Sequence, residues 1–285
     1  MKEIESGVYI EKTYPGVYLG AVVLTDGILM IDAPLRPEDG RTWLAELQAI
    51  GNSDRLILVN LDSHPDRTLG ARALECTSIA HDETAKLFRQ RTSVFKAQNA
   101  ESGSEWEFCS GLSGIRWHPP DVTFSQRAMM LSEDREVIVE NHPGPEAGAL
   151  WIILPEEKIV FIGDAVVANQ PPFLANADIP SWMDALDLLL TAPYKDYKIF
   201  SSRSGLVSAD DIRDQRKFLK EVHKRIDRLG KRKSSPQAVE KSAPKLLEKI
   251  DCPAKMLTVY DHRLKYGLYH YYVNNYHPGS SLSSN

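Results

Sequence analysis

The apolar, β-branched run from Arg55 to Leu61 (RLILVNL) constrains the fold of this chain most, because it carries the polar segment Asp62-Ser63-His64-Pro65-Asp66-Arg67 at its C-terminal end. Such a run reads as a buried strand. Before it, Trp43, Leu44, Leu47 and Ile50 recur at helical spacing over Pro37 to Ile50, and Gly51 closes the helix. After it come a short helix from Gly70 to Leu74, a strand at Thr77-Ser78-Ile79-Ala80 and a helix from His81 to about Arg91. Strand, loop, helix, strand, helix is the order of an α/β layer.

The rest of the chain extends this pattern. Gly7 to Glu11 and Val17 to Ile31 are β-rich, with a hairpin expected at Asp26-Gly27 because both residues tolerate positive φ. Asp32-Ala33-Pro34 ends the second strand. Residues 97 to 120 form a polar excursion near the active-site edge, whose Trp106, Phe108 and Trp117 either pin it down or face a ligand. Strands follow at Val122 to Phe124, Ala128 to Leu131 and Glu136 to Glu140. A hairpin-like pair, Ala149 to Leu154 and Lys158 to Ile162, ends at Gly163-Asp164. Pro180 to Leu190 and Ala209 to Leu229 read as helices around a strand at Tyr197 to Ser201. Beyond a linker-like KRKSSPQ, Ala238 to Ile250 and Arg263 to Tyr272 read as helical, and the tail PGSSLSSN as frayed. The expected organisation is one domain over residues 1–230 and a helical, tyrosine-rich extension over 231–285 packed on it.

Composition narrows the function classes. With 34 basic and 39 acidic residues the formal charge is −5, which gives no support to nucleic-acid binding. Three widely spaced cysteines make neither a disulfide framework nor a thiolate zinc site, and the acidic opening MKEIESGVYIEKTYPG lacks the pattern of a signal peptide. No apolar run approaches the roughly 18 residues of a membrane span. A cytoplasmic chain without a membrane partner is the expectation.

The segment Asp62 to Arg67, with Gly70 in place, resembles the first metal motif of the metallo-β-lactamase superfamily, His-x-His-x-Asp-His. Gly144-Pro145-Glu146-Ala147-Gly148 is similar to the loop bearing the family's next histidine, with Pro145 at the ligand position. Phe161-Ile162-Gly163-Asp164 keeps the bridging aspartate. Arg203-Ser204-Gly205 puts Ser204 where the last histidine stands. The resemblance covers residues 5 to 225 and implies a four-layered αβ/βα sandwich.

It also implies a site at which four ligand positions are altered: Asp62, Arg67, Pro145 and Ser204. Family enzymes hold two metals that lower the pKa of a bridging water. Proline has no ligating side chain, and arginine stays protonated. The leading expectation is therefore a binding or interaction module without dinuclear hydrolase activity and without a cofactor. In it Arg67, helped by the adjacent Arg203, compensates three converging carboxylates or attracts a small anionic molecule. The alternative is a hydrolase of ester-like or phosphoester substrates with one zinc, iron or manganese ion on Asp62, His64 and Asp164, and with Asp66 or His142 steering the water or taking its proton. Glu146 is a further base if the pocket turns over a substrate, with solvent exposure the plainer reading. The tyrosines of the C-terminal stretch suit a lid, a homodimer interface or an ordinary docked helix.

Overall fold

A computed structural model describes residues 1–51, 54–96, 102–133 and 135–276. Residues 97–101 of the polar excursion and the tail beyond Tyr276 lie outside the described residues. The described strands form two sheets. The first runs in chain order: β1 (Lys2–Glu5), β2 (Val8–Glu11), β3 (Leu19–Leu24), β4 (Gly27–Ile31), β5 (Leu56–Val59), β6 (Thr77–His81) and β7 (Val122–Phe124). It is antiparallel up to β4 and parallel from β4 to β7. The second contains β8 (Arg127–Leu131), β9 (Glu136–Asn141), β10 (Leu150–Leu154), β11 (Ile159–Phe161), β12 (Lys198–Ser201) and β13 (Gly205–Val207), again in chain order. Its one parallel pair is β11 with β12.

Alternation along the strands decides which side chains meet. Val22, Leu29, Ile31 and Val59 of the first sheet share one buried cluster with Val139, Ile152, Phe161 and Phe200 of the second. The opposite face of the first sheet, including Ile28, Met30 and Leu58, packs on Trp43 and Leu47 of α1 (Pro37–Gln48). Two short helices, α2 (Pro65–Thr68) and α3 (Asp82–Gln90), lie between the later strands of that sheet. The outer face of the second sheet, with Trp151, Ile153 and Val160, packs on α4 (Ile179–Leu189) and α5 (Ala209–Lys231). Helix, sheet, sheet, helix is the four-layered sandwich that the motifs imply.

Two local expectations are corrected. The first hairpin turns on Thr25-Asp26, with Gly27 already paired to Leu24, and neither Asp26 nor Gly27 has positive φ. Gly27 is needed for close approach instead: a Cβ there would stand 2.1 Å from the Arg55 carbonyl oxygen. Farther on, the single helix expected over 238–250 is two pieces, α6 (Pro236–Glu240) and α7 (Ala243–Leu247). Pro244 cannot donate into a preceding turn, so it begins a helix and cannot continue one.

The last helix, α8 (Leu257–Tyr276), returns to the sandwich. Its Tyr260, Leu264, Leu268, Tyr271 and Tyr272 join Val239 and Leu246 in the same buried cluster as Trp182 and Leu174. Three of the C-terminal tyrosines therefore close the chain's own core. Among the described residues, no helix is long and apolar enough to cross a membrane.

Candidate active site

The strand ends gather one set of carboxylates. Asp32 follows β4, Asp62 follows β5 and Asp164 follows β11, and all three are buried. The two sheets are tied together here by a hydrogen bond from Leu150 N to Leu61 O of 2.8 Å, and the β11 and β12 ends by one from Ser202 N to Gly163 O of 2.9 Å. Gly163 takes the left-handed φ of +56° that turns the chain toward Asp164. Asp32 also sits at positive φ, +62°, where its carboxylate accepts from Leu61 N at 2.9 Å and from Ser202 Oγ at 3.1 Å. A non-glycine residue there is costly unless the surroundings hold it. Those two bonds hold it.

Arg67, on α2 and 0 % exposed, lies at the centre of this group. Its Nη1 donates to Asp164 at 2.6 Å, its Nη2 donates to Asp62, and its Nε stands 3.3 Å from Asp32. Nη2 also lies 3.3 Å from Nδ1 of His64. The Arg67 carbonyl accepts from Ala33 N at 2.8 Å and Asn60 Nδ2 at 3.1 Å, so the short helix is fixed from below. Arg203, expected beside the site, enters it fully. Its Nε donates to both oxygens of Asp164 at 3.1 and 3.2 Å, and its Nη1 and Nη2 grip the two oxygens of Asp66, the Nη2 bond at 3.2 Å. Such charge-assisted, forked pairs are the strong class of hydrogen bond.

Charge sharing sets the protonation of the group. Burial alone would raise Asp62 and Asp164, but Arg67 and His64 for the first, and Arg203 and Arg67 for the second, hold both below the usual carboxylate range. Asp32, where burial outweighs Arg67, is pushed up to about 7. Burial would lower His64, yet Asp62, Glu146 and Asp164 lift it to about 9. Arg67 itself is driven well above its ordinary value, because four aspartates overcome its desolvation.

The other expected site residues divide. Asp66 is inside, but both its oxygens are held by Arg203. Glu146, expected in solvent, is 5 % exposed and accepts from Ser63 N at 3.1 Å and Ser63 Oγ at 2.9 Å. Burial raises its carboxyl, with His64 acting against the rise. His142 instead stacks on Trp151 at 3.8 Å between ring centroids and lies 3.3 Å from Glu140, contacts that join it to none of the carboxylates above. Ser204 Oγ accepts from Ala168 N at 2.8 Å, a loop brace. A cavity of about 210 Å³ opens over His64, Pro145 and Glu146, and its walls include Trp106, Phe173, Arg91 and Arg263. Trp117 is buried against Phe88 and Phe95, whereas Phe108 is exposed. Trp117 and Trp106 thus pin the excursion, Trp106 also stands in the cavity wall, and Phe108 does neither.

Asp32, Arg91 and Arg263 belong to the site without having been anticipated. For Asp32 a signal was present: three apolar strands each end in an aspartate, at Met30-Ile31-Asp32, Asn60-Leu61-Asp62 and Ile162-Gly163-Asp164.

The sequence model of the metallo-β-lactamase superfamily matches residues 21–201. The chain belongs to the metallo-β-lactamase superfamily. No curated protein matches it. Among solved structures, it is similar to a metallo-β-lactamase from Pontibacter korlensis, at 21% identity and a TM-score of 0.60 over 77% of this chain and 97% of that one. It is also similar to the stereoselective inverting sec-alkylsulfatase Pisa1 from Pseudomonas sp., at 14% identity and a TM-score of 0.66. That match covers 96% of this chain but spans only 49% of the sulfatase. In this superfamily member Asp62, His64 and Asp164 each bring one ligand atom within 4.8 Å of the others, a group able to hold a metal ion. All three also contact the Arg67 guanidinium.

Proposed function

We propose that this metallo-β-lactamase-fold protein is a binding module whose altered ligand positions remove dinuclear hydrolysis, and that it holds a small molecule in the cavity above the arginine network. One observation carries the reading: Arg67 bonds Asp62 and Asp164 and contacts His64, the three side chains a metal would need. A fixed guanidinium and a dication cannot share that space, and Arg67 stays charged at any ordinary pH. Charge balance supports the same conclusion. The carboxylates of Asp62, Asp66 and Asp164 face three cations, Arg67, Arg203 and His64, while Asp32 and Glu146 are both shifted toward the neutral acid. In the family the carboxylates are neutralised by metal; here arginine does that work. The donor set with Arg67 in place does not fit a metal.

The second reading, one zinc, iron or manganese ion on Asp62, His64 and Asp164 in a reduced hydrolase, is favoured by the convergence of their ligand atoms. It requires Arg67 to leave a site in which it is 0 % exposed. Elemental analysis of protein purified without chelator separates the two. The binding-module reading expects only traces of transition metal, with no rise on reconstitution; a full equivalent that His64→Ala abolishes would overturn it.

A further inference from the structure

We infer that the cavity receives a small organic anion, with its acidic oxygens on Arg263 and Arg91 and its apolar body against Phe173 and Trp106. This rests on reading the site as a ligand-binding pocket and names what the pocket takes. Arg67 and Arg203, the anion receptors the sequence suggests, have aspartates as their charge partners, and even the Arg67 Nε, which makes no hydrogen bond, stands 3.3 Å from Asp32. Arg263 is in a different position.

It reaches the cavity from α8 and is 1 % exposed. Nε donates to Gly103 O at 2.9 Å, and Nη1 donates to Gln170 Oε1 at 2.8 Å and Pro171 O at 3.3 Å, all neutral acceptors. Nη2 has no hydrogen-bond partner, and the carboxylate it faces, Glu105, stands 3.7 Å away while accepting from the Tyr260 hydroxyl. Arg91 repeats the pattern on the same cavity: Nη2 donates to Ser63 O at 2.6 Å, and Nη1 has no partner. A buried donor left unmade costs free energy, which an acid in the cavity recovers once either guanidinium turns its unpaired nitrogen toward it. Burial, then the neighbouring charge of Arg203, lowers Arg263 to about 10, the opposite of what befalls Arg67. Its positive charge is under-compensated, so an anion is the partner that improves it. Aromatic faces complete the receptor, since Phe173 lies under Arg263 at 4.2 Å and beside His64 at 5.0 Å, and Trp106 and Leu174 share the wall. Guanidiniums and aromatic rings around one small cavity that also holds the Glu146 carboxyl, itself shifted toward the neutral acid, fit a compact acid with an apolar body better than a cation.

Calorimetry on the full chain with benzoate and phenyl phosphate, against neutral benzamide and cationic benzylamine, tests this. At least one of the two acids is expected to bind at least about tenfold more tightly than the amide or the amine, the worth of one charge-assisted hydrogen bond. Arg263→Gln should bring that ratio close to one. Equal binding of acid and amide, an unchanged preference in Arg263→Gln, or no heat from any probe at millimolar concentration would overturn the inference. Should Arg263→Gln fail to fold, the wild-type ratio decides alone. Metal content is measured on the same sample. A metal-loaded chain that keeps the acid preference sinks the binding-module reading and leaves this inference standing, whereas a metal-free chain without the preference does the reverse.

Discussion

Arg203 and Arg263 stack on the same ring, their guanidinium carbons 4.9 and 4.2 Å from the centre of Phe173, yet they belong to regions with opposite electrostatics. Arg203, like Arg67, is wrapped by aspartates and held firmly charged. Arg263 has neutral acceptors on three of its contacts and is lowered to about 10. Burial is nearly the same for all three. What differs is which groups surround the cation, and that decides whether a buried arginine braces a fold or awaits a ligand.

Removing Arg67 breaks the comparison most severely. Arg67→Met keeps much of the volume but strands Asp62, Asp164 and Asp32, and the loss of one partner from a buried ionic cluster costs about 3–5 kcal/mol. A urea unfolding midpoint within error of wild type would show that these carboxylates need no compensation. The same variant opens the ligand group, so zinc or manganese is expected to raise its thermal midpoint while leaving that of the wild type unchanged.

The second effect is a pH dependence. His64 is lifted from 6.5 to about 9 in the folded chain, so the native state binds the extra proton between those values. Its contribution is fully present below about pH 6.5 and is lost as pH rises through about 9, a fall on the order of 3 kcal/mol. Asp32, raised to about 7, has the same sign over a lower window, from the ordinary carboxylate range up to about 7. Asp62 and Asp164, both lowered, have the opposite sign: their contribution is present above the ordinary carboxylate range and is lost as pH falls through it. Stability measured by urea at pH 7.5 and pH 9.5, above the Asp32 window, should therefore drop in wild type and stay nearly level in His64→Asn. An equal drop in both proteins would mean that the network does not hold the imidazole charged.

How much of this could be read beforehand depended on distance along the chain. Asp62, His64 and Arg67 lie within one strand-loop segment, so spacing alone placed them together, and an arginine among ligand positions announced its chemistry. Asp164 followed from an apolar strand ending in Gly-Asp. Arg203 was placed next to the site because its neighbour Ser204 matched a ligand position; its reach to Asp66, far away in sequence, needs the packed end of β12. Arg263 was illegible. It enters only because α8 folds back over the sandwich, and its stretch reads from sequence only as a tyrosine-rich helix suited to a lid, an interface or a docked helix. Glu146 was misread for a related reason: a Gly/Pro-rich loop looks exposed until Ser63 is brought against it.

Arg263→Gln sharpens the comparison from the other side. Losing bonds to Gly103 and Pro171 destabilises, but the loss of like-charge repulsion with Arg203 acts the other way. The expected net cost is about 1–2 kcal/mol, clearly below that of Arg67→Met, and thermal or urea unfolding measures both. If the two variants cost the same, the two regions are one electrostatic unit and their division is wrong.

The smallest expected effect concerns His142, once a candidate to steer water. Its ring lies flat on Trp151, 20° from parallel, and its Nε2 faces Glu140 on β9. Burial lowers its pKa, with Glu140 acting against the shift, so the ring enters the stack mainly as an uncharged aromatic surface. His142→Phe keeps that surface and gives up one hydrogen bond of 3.3 Å. It should change stability by no more than about 0.5–1 kcal/mol and leave the acid-over-amide binding ratio unchanged. A loss of that ratio would bring His142 back among the residues that touch the ligand, and would mean that the loop from Asn141 to Gly148 moves when the cavity fills.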